Sequence, residues 1–151
     1  LQANALPPLG VKPVAADAAW QKECGDCHMA FHPTLLPAKS WEKIMSSLDD
    51  HFGEDASLPP DKVAAISAFL TANSAETSDS YAANRFRHVS TEQPLEITAT
   101  PFWTWRHHDI ADTVFEAAPV NSKQNCSACH GDAASGTFAP QAIAIPQETT
   151  K

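Results

Sequence analysis

Glycine and tyrosine are scarce in this 151-residue chain: five glycines and one tyrosine stand against twelve prolines. Sheets draw on aromatic and β-branched residues and on glycine turns, so this composition, rich in alanine, points to helices joined by stiff loops. Basic side chains are also in short supply. Ten lysines and arginines face eighteen acids, a net charge of −8, with five basic and nine acidic residues in 1–75 and again in 76–151. Neither half offers a basic patch, so no nucleic-acid partner is expected, and a partner with a positive docking face fits better. No apolar run approaches the ~20 residues needed to cross a bilayer, so no direct membrane insertion is expected. Only four cysteines are present, whereas disulfide scaffolds belong to shorter, cysteine-dense chains.

Those four cysteines fall into two copies of one pattern, Cys24-Gly25-Asp26-Cys27-His28 and Cys126-Ser127-Ala128-Cys129-His130. Two thiols three positions apart lie on one side of a helical turn, where both can add to the vinyl groups of one porphyrin. The histidine that follows presents an imidazole to the iron. CxxCH is thus a covalent c-type haem attachment site, and two copies predict two haem c groups. A zinc site would use the four cysteines as one tetrahedral set and leave the two histidines unexplained. Thioether attachment takes place in the bacterial periplasm and its equivalents. Together with a first residue, Leu1, that is not methionine, it sets the expectation of a periplasmic protein.

Two haems favour two small lobes: residues 1–75, a linker over 76–100, and residues 101–151. A lobe of about 75 residues is near the lower limit for a self-sufficient core, so each haem is expected to be needed for folding. Pro7, Pro8 and Pro13 mark an extended lead-in over 1–13. Ala15 to Glu23 reads as a helix that delivers the first attachment site, with Trp20 packing one turn before Cys24. After a proline loop from Pro33 to Pro37, Ser40 is the expected N-cap of a second helix. Its apolar stripe is Trp41, Ile44, Met45, Leu48 and Phe52, with His51 on the flank and Gly53 at the end. A third helix begins near Pro59-Pro60-Asp61 and buries Val63, Ile66, Phe69 and Leu70. Helix, CxxCH, proline loop, distal ligand and closing helix resemble a class I cytochrome c over residues 14–73. His51 stands where such proteins usually offer a methionine.

Residues 74–100 show no sustained apolar period, although Tyr81, Phe86 and Val89 are candidates to pin them to a core. Arg85, Arg87 and Arg106 are candidate partners for haem propionates, but singly each reads more readily as solvated surface. If a helix continues beyond Pro101, then Trp103, His107, Ile110 and Val114 line one face, and His108 points about 100° away. The segment after His130 carries Gly131, Gly136 and Pro140, then a short extended Ala142 to Ile145, and is expected to wrap the second haem.

Two irons need four axial ligands, of which His28 and His130 supply two. Met29 adjoins the proximal ligand, Met45 sits in the helical stripe, His32 lies close to the proximal side and His88 is in the polar linker. His51 and His107 remain, which pairs His28 with His51 and His107 with His130.

The chain is similar to the bacterial dihaem cytochromes c, usually abbreviated DHC, over most of residues 18–145. The resemblance rests on Glu23-Cys24-Gly25-Asp26-Cys27-His28-Met29-Ala30, on Leu35-Leu36-Pro37 to Trp41 and on His51-Phe52-Gly53. It continues in Thr100-Pro101-Phe102-Trp103, His107 to Ile110 and the second CxxCH. His32 stands where relatives commonly have proline. The resemblance implies electron transfer by two bis-histidine haems. It also implies a redox partner, the small oxygen-binding c-type haem protein SHP, with a membrane cytochrome b nearby in the pathway. The fold expected is mainly α, with a class I cytochrome c-like first lobe and an irregular second lobe. Alternatives are the small dihaem subunit of a periplasmic nitrate reductase and, from a different class, a dihaem peroxidase. The peroxidase would require one iron with an open or releasable site.

Overall fold

The computed structural model describes residues 17–90 and 96–146, so the lead-in expected over 1–13 lies outside the described residues. Six short α-helices carry the architecture, joined by 3-10 turns: α1 (Ala18–Gly25), α2 (Ala38–Ser46), α3 (Pro60–Ala72), α4 (Tyr81–Phe86), α5 (Pro101–Arg106) and α6 (Asp112–Glu116). Among the described residues there is no strand, only two isolated bridges, His51 with Glu54 and His130 with Ile143. The mainly α reading holds.

Helix α1 is capped by Asp17, whose carboxylate accepts from the Trp20 amide at 2.9 Å. This satisfies one of the amides that a helix N-terminus leaves unpaired. Trp20 then packs on Phe69 of α3, with ring centroids 5.2 Å apart. Helix α2 differs from expectation at both ends. It begins after Pro37, not at Ser40, which lies fully buried inside the helix. Pro37 presets the entry angle, and the Ala38 amide is met by the Glu76 carboxylate at 2.9 Å, a cap supplied from 38 residues away. At the other end, Ser46 and Ser47 both turn their hydroxyls onto the Lys43 carbonyl at 2.8 Å, local bonding that competes with helix continuation. The helix therefore stops well short of Gly53. Trp41, Ile44 and Met45 are buried as expected, but Phe52 is 54% exposed and sits at φ +54 beside Gly53 at φ +91.

Helix α3 starts with Pro60 in its first turn and buries Ile66 and Leu70 against α1 and α2, with Val63 and Phe69 partly buried. The same core takes in Leu35, Leu36, Ala82, Phe86 and Ile97. The last three belong to the segment expected as a linker. There Ser80 accepts from the Ala83 amide at 3.1 Å and starts α4, whose apolar side faces this core.

Beyond residue 100 the helices are short. Thr100 caps α5, and Pro101 occupies its first position. The helix proposed to run on through Val114 ends at Arg106; a turn follows, and α6 is a separate element. Gly136 is buried at φ +74, where an added Cβ would overlap the imidazole of His32. Left-handed strain and overpacking each cost about 1–3 kcal/mol. Gly136→Ala should accordingly destabilise the haem-loaded protein by roughly 2–5 kcal/mol in a denaturant titration. Gly53→Ala, where nothing lies within 4 Å, should show the backbone penalty alone.

Candidate haem sites

Helix α1 carries Cys24 in its last turn, and Cys27 and His28 follow directly where the helix ends. The His28 Nδ1 lies 2.8 Å from the Met29 carbonyl. An Nδ1–H donating to a carbonyl leaves Nε2 as the ring's lone-pair nitrogen, the tautomer a metal-ligating histidine needs. His51 reaches the same place from the 3-10 turn Leu48–Asp50. Its amide donates to the Glu54 carbonyl at 2.7 Å, and the Glu54 amide donates back at 3.1 Å. This small loop, with Phe52 and Gly53 at positive φ, holds the ring in place. The His28 and His51 centroids are 6.2 Å apart with ring planes 20° from parallel. Burial first, and the neighbouring His28 second, lower the His51 pKa, which favours the neutral ring.

The second site is built differently. His107 is the residue that closes α5; its Nδ1 lies 2.8 Å from the Trp103 carbonyl, and its ring stacks on the Trp103 indole at 4.2 Å and 17°. Cys126–Ala128 form a 3-10 turn, and the His130 amide donates to the Cys126 carbonyl at 2.8 Å. The C-terminal stretch clamps this turn from outside: Gly131 donates to the Ala142 carbonyl at 3.2 Å, and Ala144 donates to the Cys129 carbonyl at 2.8 Å. His107 and His130 have centroids 6.2 Å apart with planes 76° apart. Beside them opens a mostly apolar cavity of about 430 Å³ lined by Cys126, Cys129, Phe102, Phe115, Phe138, Ile143 and Arg106, among others. A cavity of this size is typical of cofactor sites.

Both pairs meet a simple geometric requirement. A metal–imidazole nitrogen bond is about 2 Å long and the ring centroid lies roughly 1 Å beyond the nitrogen, so two imidazoles across one metal stand roughly 6 Å apart. The histidine pairs, each with a CxxC pair in the same motif, therefore fit a haem at each site. Burial, aided by a nearby acid or thiol, pushes the Cys24 and Cys126 thiols up to about 11. This is the reverse of the low-pKa thiolate of a redox-active CxxC. Among the described residues no cluster of three or more histidines, cysteines or acids is placed to hold a bare metal ion. The four cysteines thus do not form one tetrahedral set.

The remaining candidates fall elsewhere. His32 is 5% exposed, bonded through Nδ1 to the Thr34 hydroxyl at 2.7 Å and pressed against Gly136; burial lowers its pKa to about 4. His88 and His108 are exposed, and Met45 is core. Met29 touches the Ser127 hydroxyl through sulfur at 3.8 Å, so the two attachment motifs abut. Of the three arginines, Arg106 lines the second cavity, Arg85 lies 5.3 Å over the Tyr81 ring and Arg87 donates to the Ser78 carbonyl at 2.5 Å. Sequence reasoning missed Lys123, which lies 5.9 Å over the Trp103 ring and lines the same cavity. It also missed Leu35, which reaches that cavity from the first half.

The family profile for dihaem cytochrome c matches residues 20–138. Two structures of DHC from Rhodobacter sphaeroides superpose with TM-scores of 0.69 and 0.63 at 37% and 36% identity, covering 84% and 83% of this chain and 100% and 99% of theirs. A dihaem cytochrome c from Shewanella baltica is 32% identical with a TM-score of 0.67, over 87% of this chain and 94% of its own. No match was found among curated proteins. The chain belongs to the dihaem cytochrome c family. It accordingly carries two covalently bound haem c groups, and electron transfer is the activity its family implies.

Proposed function

We propose that the protein is a periplasmic electron carrier in which His28 with His51, and His107 with His130, close the two irons as bis-histidine haems, and that it donates electrons to SHP, with a membrane cytochrome b nearby in the pathway. The observation that carries the ligand assignment is the common 6.2 Å separation of both imidazole pairs. Bound haem supplies a one-electron iron couple. The chain's own contribution is to fix both rings on each iron, keep the second site apolar, and place the Arg106 guanidinium at that cavity's edge. Imidazole stabilises reduced iron less than a thioether does, so both potentials should fall below those of histidine–methionine cytochromes c. No helix among the described residues is long and apolar enough to cross a membrane.

SHP is the partner that the family resemblance implies, and charge adds a docking preference. Asp49, Asp50, Glu54 and Asp55 are exposed around His51, and Asp26 is exposed within the first attachment loop. A carrier with so acidic a rim is steered toward a basic docking face, and salt screens that attraction. The second-order rate of SHP reduction, followed by stopped-flow absorbance, should fall by about tenfold from low to high ionic strength. A rate that does not change with salt would refute the docking reading.

A further inference from the structure

The two attachment-motif histidines differ at Nδ1. His28 Nδ1 has the neutral Met29 carbonyl at 2.8 Å. His130 Nδ1 is buried and has no hydrogen-bond partner among the described residues, and the same is true of Asp132 Oδ1, two residues away. A buried donor and a buried acceptor left open two residues apart are each unfavourable. The backbone brings them together: the Ala133 amide donates to the His130 carbonyl at 3.1 Å, turning the chain back over the histidine. The other carboxylate oxygen, Oδ2, is anchored by the Ala139 amide at 2.8 Å, which leaves Oδ1 as the acceptor with no competing bond.

We infer that Asp132 is the positioning residue of the second haem, its Oδ1 accepting the Nδ1 proton of His130 and making that ligand a stronger donor to iron than His28. The inference rests on the reading that His130 holds the second iron. A charged acceptor binds a proton more strongly than a carbonyl does, and an outer carboxylate raises the basicity of a ligating imidazole. The more basic ring favours oxidised iron, so the second haem is the lower-potential one. Burial, the largest influence, and His107 both lower the His130 pKa, while the Asp132 charge opposes them.

The test is potentiometric titration of haem-loaded Asp132→Asn, which keeps the shape and removes the charge. The second haem's reduction equilibrium should move toward reduction by roughly tenfold, about 59 mV for one electron, while the first stays in place. Asp132→Glu, which keeps the charge, should shift it less. Unmoved midpoints in a low-spin Asp132→Asn protein would overturn the inference. His130→Gly separates the two claims: if the second iron stays low-spin, the ligand reading itself fails. If that iron opens while Asp132→Asn changes nothing, only the role of Asp132 falls. Should Asp132→Asn not take up haem, proton NMR of the reduced wild-type protein decides. The His130 Nδ1 proton should resonate further downfield than that of His28, and an equal or upfield position would overturn the inference.

Discussion

His107→Ala should leave the first haem six-coordinate and low-spin while opening the second, which becomes high-spin and gains a carbon monoxide site. His107 is the histidine whose ring stands 6.2 Å from that of His130. Truncation removes the proposed ligand and its stacking on Trp103 together. His51→Ala should do the mirror experiment, opening the first haem alone. The 6.2 Å separation of the His28 and His51 rings is the observation that favours this pairing over a crossed arrangement in which each distal ligand serves the other attachment site. Absorption spectra of the reduced variants with and without carbon monoxide read the result directly. An effect of His51→Ala confined to the second haem would refute the assignment, as would a low-spin second haem in His107→Ala with His108→Ala opening it instead.

The other large effect is on cofactor content. In the double variant Cys24→Ser, Cys27→Ser the first site loses both thioether bonds, so intact-protein mass spectrometry should find one haem per chain and the pyridine haemochrome absorbance per chain should halve. The second site stays intact because Cys126, Cys129 and their clamp through Ala142 and Ala144 involve no residue of the first motif. Two covalently attached haems in this variant would contradict the attachment sites.

The attachment sites were legible because their whole chemistry sits in five consecutive residues. His51 and His107 each lie 6.2 Å from the attachment-motif histidine they were paired with, though the elements expected to carry them were only partly right. His51 was expected on the flank of a long helix. That helix ends at Ser46, because two consecutive serines bond back to Lys43, and a left-handed turn at Phe52 and Gly53 sets the histidine's position instead. His107 was placed by helical spacing from Trp103, and that single turn exists. Its continuation to Ile110 and Val114 does not, since the helix closes at His107 itself.

What stayed hidden was nonlocal. The cap of α2 comes from Glu76, far along the chain, so the local pattern favoured Ser40. Helix α4 is six residues long, too short to show a period; Phe86 was named as a pin to the core, but the burial of Ala82 and Ala83 beside it was not expected. Likewise, nothing near Gly136 announces that His32 packs against it.

The measurement closest to the central claim is the electron paramagnetic resonance spectrum of the oxidised wild-type protein. When two axial imidazole planes are near parallel they lift the degeneracy of the iron π orbitals and give a rhombic low-spin signal; near-perpendicular planes leave it nearly intact and give a highly anisotropic one. The ring planes stand 20° apart at the first site and 76° apart at the second. The expected result is two low-spin ferric signals of equal intensity, one of each kind, with the anisotropic one lost in His107→Ala. A high-spin ferric component from either haem of the wild-type protein would contradict bis-histidine ligation by these four residues.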